Sequence, residues 1–224
     1  MIGRLFMESS RARLAVGLRR GRNYLFAICE LILYIARGAF AVCSRGDKRP
    51  FEVDRVAYTP QHIANYFLDK AEAECVPITP LKLIKLVYIG YGWVLALVGR
   101  RLFPEPIEAW KHGPVIPSLY HEFKHYRSDP ITDDALCYDL DTGQSFRPTI
   151  PADDTLVRGI LDKVWSAYRR FSGWALRQKT HEQGTPWEQT YDPNVMSKQI
   201  PDDLIAPHFQ QKIREILDAA AQPA

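Results

Sequence analysis

The five residues His-Glu-Phe-Lys-His that begin at His121 form a short pattern capable of metal chemistry. In zinc hydrolases with this pattern, two histidines one helical turn apart bind the metal, and the glutamate between them activates its bound water. Here those residues would be His121, Glu122 and His125. A third ligand would have to come from His181 or Glu182, and no spacing recommends either. Because the two histidines and the glutamate match the pattern, a zinc-dependent hydrolase is the alternative function.

The position of this pattern on its helix argues against a metal site. On a helical wheel, Leu119, Phe123 and Tyr126 share one face, which predicts that this face is buried. His121 and His125 fall on the opposite face, where solvent would surround them. We therefore expect the two histidines to be exposed, and we expect no metal ligands, no cofactor and no enzymatic activity.

A second group of polar residues, Thr180, His181 and Glu182, offers a hydroxyl, an imidazole and a carboxylate in a row. Consecutive side chains on a helix diverge by about 100°, so these three cannot form a catalytic triad among themselves. Hydrogen bonding near a helix end is the better interpretation. The sequence also has no Walker loop, no G-x-G-x-x-G and no G-x-S-x-G nucleophile elbow.

The element that would position these residues is an apolar helix over residues 79–98. Thr79 can cap its first turn, Pro80 suits the first helical position, and Gly99 can end it in a left-handed conformation. Residues 86–98 carry no charge. A helix that is apolar on nearly every side must be surrounded by other elements. We therefore predict a single compact, mainly α-helical domain around this helix.

Lys82 and Lys85 are the only charged residues inside this helix, and both lie near its N-terminal end. They are about 60° apart on the helical wheel. Lysine is seldom fully buried in proteins. We expect the two lysines to form a solvated first turn rather than to contact a phosphate or a partner.

The stretch after this helix is irregular. Residues 107–110 are apolar enough for a strand, Gly113 and Pro114 predict a turn, and Pro117 can begin a short helix. Further on, alternation around Asp141 predicts a small β-hairpin over about residues 136–150. Apolar residues at helical spacing and capping residues predict further helices that begin near Thr59, Asp153 or Asp154, Ser172, Thr185 and Pro207.

Charge divides the chain into two parts. Residues 1–50 carry ten Lys/Arg against three Asp/Glu, whereas the remainder carries 19 against 23. An acidic body is poorly suited to a phosphate backbone, so the main domain is not expected to bind nucleic acid. The four cysteines form no C-x-x-C pair, which favours a reducing, cytoplasmic location.

Residues 1–55 differ from the rest by a basic beginning and an apolar run over residues 24–43. Glu30 and Arg37 interrupt that run, which argues against a transmembrane helix or a cleaved signal peptide. We expect this extension to be an over-extended gene start rather than part of the natural protein. A helix that contacts a membrane surface through residues 24–43 is the alternative.

The most informative stretch is residues 79–126, in which TPLKLIKLVYIGYGW is followed by EPIEAWKHGPVIPSLYHEFKHY. This stretch resembles the Panacea domain, the SocA-like antitoxin family found in bacteria and their phages. The resemblance begins near Tyr58 and includes IANYFLDKA at residues 63–71. It reaches about Tyr191 through TH and PW pairs that are typical of the family.

The resemblance implies a mainly α-helical domain, here residues 56–220, that binds and neutralises a toxin encoded by an adjacent gene. Partner toxins of the family are diverse, so the resemblance does not identify this one. In the SocA type, the antitoxin also delivers its toxin to an ATP-dependent protease. The resemblance therefore implies two kinds of protein partner.

Candidate site residues follow from matching the motif. Those expected mainly to build the fold are Pro80, Lys82, Lys85, Tyr88, Trp93, Gly113, Pro117, Tyr120, Phe123, His181 and Trp187. Trp110, Lys111, His112 and Pro114 are expected to be exposed and to contact the partner, because a Gly-Pro turn is not easily buried.

Overall fold

The computed structural model describes residues 58–221, and within them the chain is mainly α-helical, as predicted. The predictions for residues 1–55, including the apolar run at 24–43, lie outside the described residues. The helices are α1 (Pro60–Ala73), α2 (Pro80–Val98), α3 (Pro117–Phe123), α4 (Thr155–Tyr168), α5 (Gly173–Thr180), α6 (Pro186–Thr190) and α7 (Asp202–Ala221), and a 3₁₀ turn follows α3 at Lys124–Tyr126. The strands are β1 (Glu108–Trp110), β2 (Gly113–Val115), β3 (Cys137–Tyr138), β4 (Ser145–Phe146) and β5 (Lys198–Gln199).

Helix α2 is the centre of the domain, as its composition predicts. Thr79 Oγ1 accepts a hydrogen bond from the Lys82 amide at 3.4 Å, and Gly99 ends the helix with a φ of 75°. Helices α1, α4, α5 and α7 pack around α2. Among residues 58–221, α2 is the one helix long and apolar enough to cross a membrane, and 78% of its apolar window is buried inside the protein. It is therefore the core helix of this domain.

Both lysines of α2 are buried, so the predicted solvated first turn is wrong. Lys82 is 6% exposed and donates a hydrogen bond to the Arg169 carbonyl at 2.7 Å. Lys85 is fully buried and donates to the Pro114 carbonyl at 2.6 Å. A buried amine is tolerated where such a carbonyl faces it, and both acceptors come from segments distant in the chain.

Two small antiparallel sheets lie beside the helices. β1 pairs with both β2 and β5, and β3 pairs with β4, which confirms the hairpin predicted over residues 136–150. Gly113 and Pro114 lie in β2, so the prediction of a turn at these two residues is wrong. Lys111 and His112 form the turn instead, because β1 and β2 stay paired as far as Gly113.

Several helices begin at residues that the sequence predicts as caps. Asp154 accepts a hydrogen bond from the Val157 amide at 3.1 Å, before α4. Ser172 accepts one from the Ala175 amide at 3.2 Å, before α5. Thr185 has the same role before α6. Each of these side-chain oxygens satisfies an amide that the first helical turn leaves without a partner.

Helix α7 begins at Asp202, earlier than the predicted start at Pro207. The Asp202 carboxylate accepts hydrogen bonds from Tyr91 Oη at 2.8 Å and from Arg101 Nε at 2.5 Å. A negative charge in the first turn also stabilises the N-terminus of a helix. These tertiary contacts hold the first turn of α7, although Pro207 has no amide proton to donate inside the helix.

Helices α2 and α7 come into close contact at Gly92. A Cβ atom added there would lie 2.1 Å from Cε2 of Phe209. The Phe209 ring also packs edge-on against Trp93 and Tyr88, with centroid distances of 5.5 Å and 6.1 Å. The absence of a side chain at Gly92 therefore lets the Phe209 ring enter the core.

Replacing Gly92 with alanine is expected to lower the free energy of unfolding by about 1–3 kcal/mol, the usual cost of overpacking a core. Gly90→Ala is the matched control on the same helix, because its tightest contact would be the end of the flexible Leu161 side chain, at 2.8 Å. Urea denaturation of the two variants measures the difference. If Gly92→Ala is as stable as Gly90→Ala, this packing is wrong.

Candidate functional site

The His-Glu-Phe-Lys-His pattern is divided between a helix and a turn. Helix α3 ends at Phe123 and His125 lies in the 3₁₀ turn, so the two histidines do not share one regular helix. Both histidines are exposed, as predicted. Glu122 accepts hydrogen bonds from Leu136 N at 2.6 Å and from Gln61 Nε2 at 3.3 Å. Burial raises the pKa of Glu122, and its carboxylate is already engaged by these two donors.

A different arrangement brings the matched residues together. Strands β1 and β2 form a hairpin over residues 108–115, here called the β1–β2 hairpin, whose backbone carbonyls face donors from other elements. Trp187 Nε1 donates to the Trp110 carbonyl at 2.8 Å. Lys85 Nζ donates to the Pro114 carbonyl at 2.6 Å. Helices α2 and α6 therefore fix the hairpin at both of its strands.

Lys85 has no exposed surface. Burial, and after it the nearby charge of Arg177, lowers the pKa of the Lys85 amine to about 7. A neutral amine retains N–H donors, so the hydrogen bond to the Pro114 carbonyl does not depend on the charge. The amine therefore serves the hairpin as a structural donor.

Gly113 is required where Lys85 meets the hairpin. Its φ of 99° lies in the left-handed region that residues with a side chain rarely adopt. An added Cβ would also lie 2.8 Å from both Lys85 Nζ and Thr180 Oγ1. The hairpin backbone can approach the buried amine this closely because glycine has no side chain.

The rings of His181 and Trp187 pack together beside the β1–β2 hairpin. Their ring centroids lie 3.6 Å apart, and Trp187 stacks in turn on Tyr191 at 4.8 Å. His181 Nδ1 lies 2.7 Å from the Arg177 carbonyl, and its Nε2 lies 3.4 Å from the Lys111 carbonyl at the turn of the hairpin. Burial lowers the pKa of His181. Thr180 Oγ1 donates to the same carbonyl at 2.8 Å, so the predicted hydrogen bonding near a helix end is confirmed.

The outer side of the hairpin differs in part from the prediction. Lys111 and His112 are exposed and Trp110 is half-buried. Pro114 is buried, because its strand pairs with β1 and its carbonyl faces Lys85. The expectation of an exposed Pro114 is therefore wrong, whereas the partner contact of the other three residues stays a prediction.

The remaining motif residues divide between core and surface. Buried in the core are Tyr88, Trp93 and Phe123. Pro80 and Pro117 occupy the first turns of α2 and α3, where a missing amide proton costs nothing. Tyr120 is 37% exposed, and its ring packs edge-on against Trp110 with a centroid distance of 4.8 Å.

A cleft of about 350 Å³ opens beside the hairpin and is here called the basic cleft. Its aromatic and basic side chains are Trp110, Lys111, His112, Tyr120, Lys124, Arg127 and Trp174, and Lys85 also borders it. Among residues 58–221, no aspartate or glutamate lines this cleft. The cleft therefore combines positive charge with aromatic surface.

Trp174 and Arg177 are site residues that motif matching missed. Trp174 is 60% exposed, and the Arg177 guanidinium lies over its ring, 5.1 Å from the centroid. The exposure of Trp174 could have been predicted from the sequence. Leu176 and Thr180 lie on the buried face of α5, and helical spacing places Trp174 on the opposite face. That this face borders the β1–β2 hairpin depends on tertiary packing.

Comparison with known proteins identifies the family. The family described as Antitoxin SocA-like, Panacea domain matches residues 83–188. Antitoxin SocA from Caulobacter vibrioides (strain NA1000 / CB15N) is 34% identical over 139 residues, which are 62% of this chain and 73% of that protein. The chain belongs to the SocA-like Panacea family. No solved structure matches it.

The resemblance to the Panacea family predicted from the sequence is thus confirmed. The matched region encloses Lys85, Gly113, His181 and Trp187, which together fix the β1–β2 hairpin. In this Panacea protein, residues that are far apart in the motif therefore converge on one short hairpin. Their shared role is to position the hairpin backbone.

Replacing Gly113 with alanine is expected to destabilise the protein more than replacing Gly99. Both glycines have a positive φ, so an alanine is strained at either position. An added Cβ at Gly99 has no heavy atom within 4 Å, whereas one at Gly113 collides with Lys85 and Thr180. Urea denaturation compares the two variants. Equal losses of stability would contradict the close approach of the hairpin to the buried amine.

Replacing Lys85 with methionine is expected to change how stability depends on pH. The pKa of Lys85 falls from 10.5 to about 7 on folding, so above pH 7 the unfolded chain binds more protons than the folded one. The unfolding free energy of the wild-type protein should therefore rise, relative to Lys85→Met, from about pH 7 to about pH 10.5. Urea denaturation at several pH values measures this difference. A constant difference would show that Lys85 stays charged when folded.

Proposed function

We propose that this protein is an antitoxin that neutralises a protein toxin from an adjacent gene by binding it directly. Its family, and the name of its Caulobacter relative, support an antitoxin role. In this proposal residues 56–220 act as one cytoplasmic domain, without a cofactor and without contact to nucleic acid. Delivery of the bound toxin to an ATP-dependent protease is the further step that the family resemblance implies.

The observation that carries the proposal is the firm positioning of the β1–β2 hairpin. Lys85 and Trp187 donate hydrogen bonds to its carbonyls, while Lys111 and His112 remain exposed at its turn. A surface that is already ordered loses little conformational entropy when a partner binds. Recognition of a protein suits this arrangement better than a reaction does, because the perturbed amine of Lys85 is engaged by a backbone carbonyl.

The alternative, a zinc-dependent hydrolase, has less support. Among residues 58–221, no group of three or more His, Cys, Asp or Glu side chains is placed to hold a metal ion. His121 and His125 are exposed, and Glu122 is held by donors from other elements. A general base for a zinc-bound water would have to be free to face the metal.

Expression of the adjacent gene alone is expected to arrest growth, and co-expression with the full-length protein is expected to restore it. Because neutralisation by binding requires a stable complex, the two proteins should also co-purify in a fixed ratio. A plating assay with separately inducible promoters measures the rescue, and size-exclusion chromatography measures the complex. A neighbour that is harmless when expressed alone would contradict the proposal.

His125→Ala is the control that separates the two functions. His125 is exposed and does not line the basic cleft, so its replacement should leave neutralisation unchanged. A zinc hydrolase would bind about one zinc ion per chain, and the variant would lose both the metal and the activity. Zinc in the wild-type protein together with loss of rescue in His125→Ala would favour the hydrolase.

A further inference from the structure

Within residues 58–221, no ion pair neutralises the positive charge of the basic cleft. Lys111, Lys124 and Arg127 contribute this charge, and all three side chains are exposed. None of them takes part in the ion pairs formed within residues 58–221. Uncompensated charges of one sign in a concave site attract a ligand of the opposite sign.

Exposed aromatic rings form the other component of the cleft. Trp174 is 60% exposed, and the His112 ring packs edge-on against it with a centroid distance of 6.1 Å. Trp110 and Tyr120 also line the cleft and pack against each other. The indole Nε1 of Trp110 donates a hydrogen bond to Glu108 Oε2 at 2.6 Å. That hydrogen bond satisfies the polar atom of Trp110 and leaves the apolar part of the ring for contact. Tryptophan, tyrosine and arginine are the residues that most often dominate binding energy at protein interfaces.

The size of the cleft suits a few side chains rather than a whole domain surface. Its volume of about 350 Å³ lies at the lower end of the range of small-molecule pockets. A short segment that projects from a partner would fill it. The positive charge favours carboxylates on that segment, and the aromatic rings favour an apolar side chain beside them.

We propose that the basic cleft binds an acidic peptide segment of the partner protein. Carboxylates of the segment pair with Lys111, Lys124 and Arg127, and an apolar or aromatic side chain packs between Trp110 and Trp174. The identity of the partner as a toxin rests on the proposed function, whereas the acidic chemistry of the segment follows from the cleft alone. A nucleic acid fits less well, because residues 51–224 carry 19 Lys/Arg against 23 Asp/Glu.

The first test is a charge reversal in the full-length protein. Lys111→Glu combined with Lys124→Glu is expected to weaken binding to the neighbouring gene product by at least about tenfold and to abolish growth rescue, since both sites would repel carboxylates. Arg214→Glu is the matched control, because Arg214 is exposed on α7 and does not line the cleft. Wild-type binding should also weaken as salt concentration rises.

Two further variants separate binding from folding. Lys111→Met combined with Lys124→Met removes the charges but keeps the length of the side chains, so binding should fall by less than in the double glutamate variant. Trp174→Ala removes a largely exposed ring and should weaken binding while the urea midpoint stays close to that of the wild type. A loss of binding that tracks a loss of stability in every variant would overturn the proposal.

The second test does not require the neighbour to be a toxin. Fluorescence anisotropy compares two pools of short labelled peptides, one that combines Asp and Glu with Phe, Trp and Leu, and one that combines Lys and Arg with the same apolar residues. The acidic pool is expected to bind the wild-type protein and to lose affinity for the double glutamate variant. Preferential binding of the basic pool, or of a single-stranded RNA probe, would overturn the proposal.

The outcomes of the two tests distinguish the proposals from each other. Growth rescue that survives the double glutamate variant, with no preference for acidic peptides, overturns the acidic segment and leaves the antitoxin function in place. A harmless neighbour overturns the antitoxin function. In that case the chemistry of the basic cleft is still decided by whether the acidic pool binds the wild-type protein and loses affinity for the double glutamate variant.

Discussion

The hydrogen bond between Lys85 Nζ and the Pro114 carbonyl, 2.6 Å long, is the interaction on which the rest of the structure depends. Lys85 lies within the most apolar helix of the domain, where an amine without an acceptor would be costly. The carbonyl has to come from outside the helix, and Gly113 allows its strand to come close enough. The position of the β1–β2 hairpin on α2 is thus a consequence of burying one polar group in an apolar helix.

The same helix supports both the core and the candidate site. One part of α2 receives Phe209 of α7 at Gly92, while its N-terminal part meets the hairpin and α5. Because protein interiors are close-packed, a shift of α2 in the core would also displace the hairpin. Substitutions in α2 should therefore affect stability and partner binding together, whereas the exposed side chains of the basic cleft can be changed without disturbing the core.

Much of the polar chemistry near the β1–β2 hairpin is used within the protein. The polar groups nearest the hairpin, Lys85, His181 and Trp187, are engaged by backbone carbonyls or by stacking, and burial lowers the pKa of both Lys85 and His181. What remains accessible is positive charge and aromatic surface. An ordered surface with accessible positive charge suits binding, which agrees with the antitoxin role that the family supports.

Local features were predictable from the sequence because their causes act within a few residues. Thr79, Asp154 and Ser172 cap helices through amides three positions away, and Gly99 adopts the left-handed conformation that ends α2. The motif of residues 79–126 also determined the family. The burial of Lys85, the burial of Pro114 and the early start of α7 were decided only by the tertiary structure.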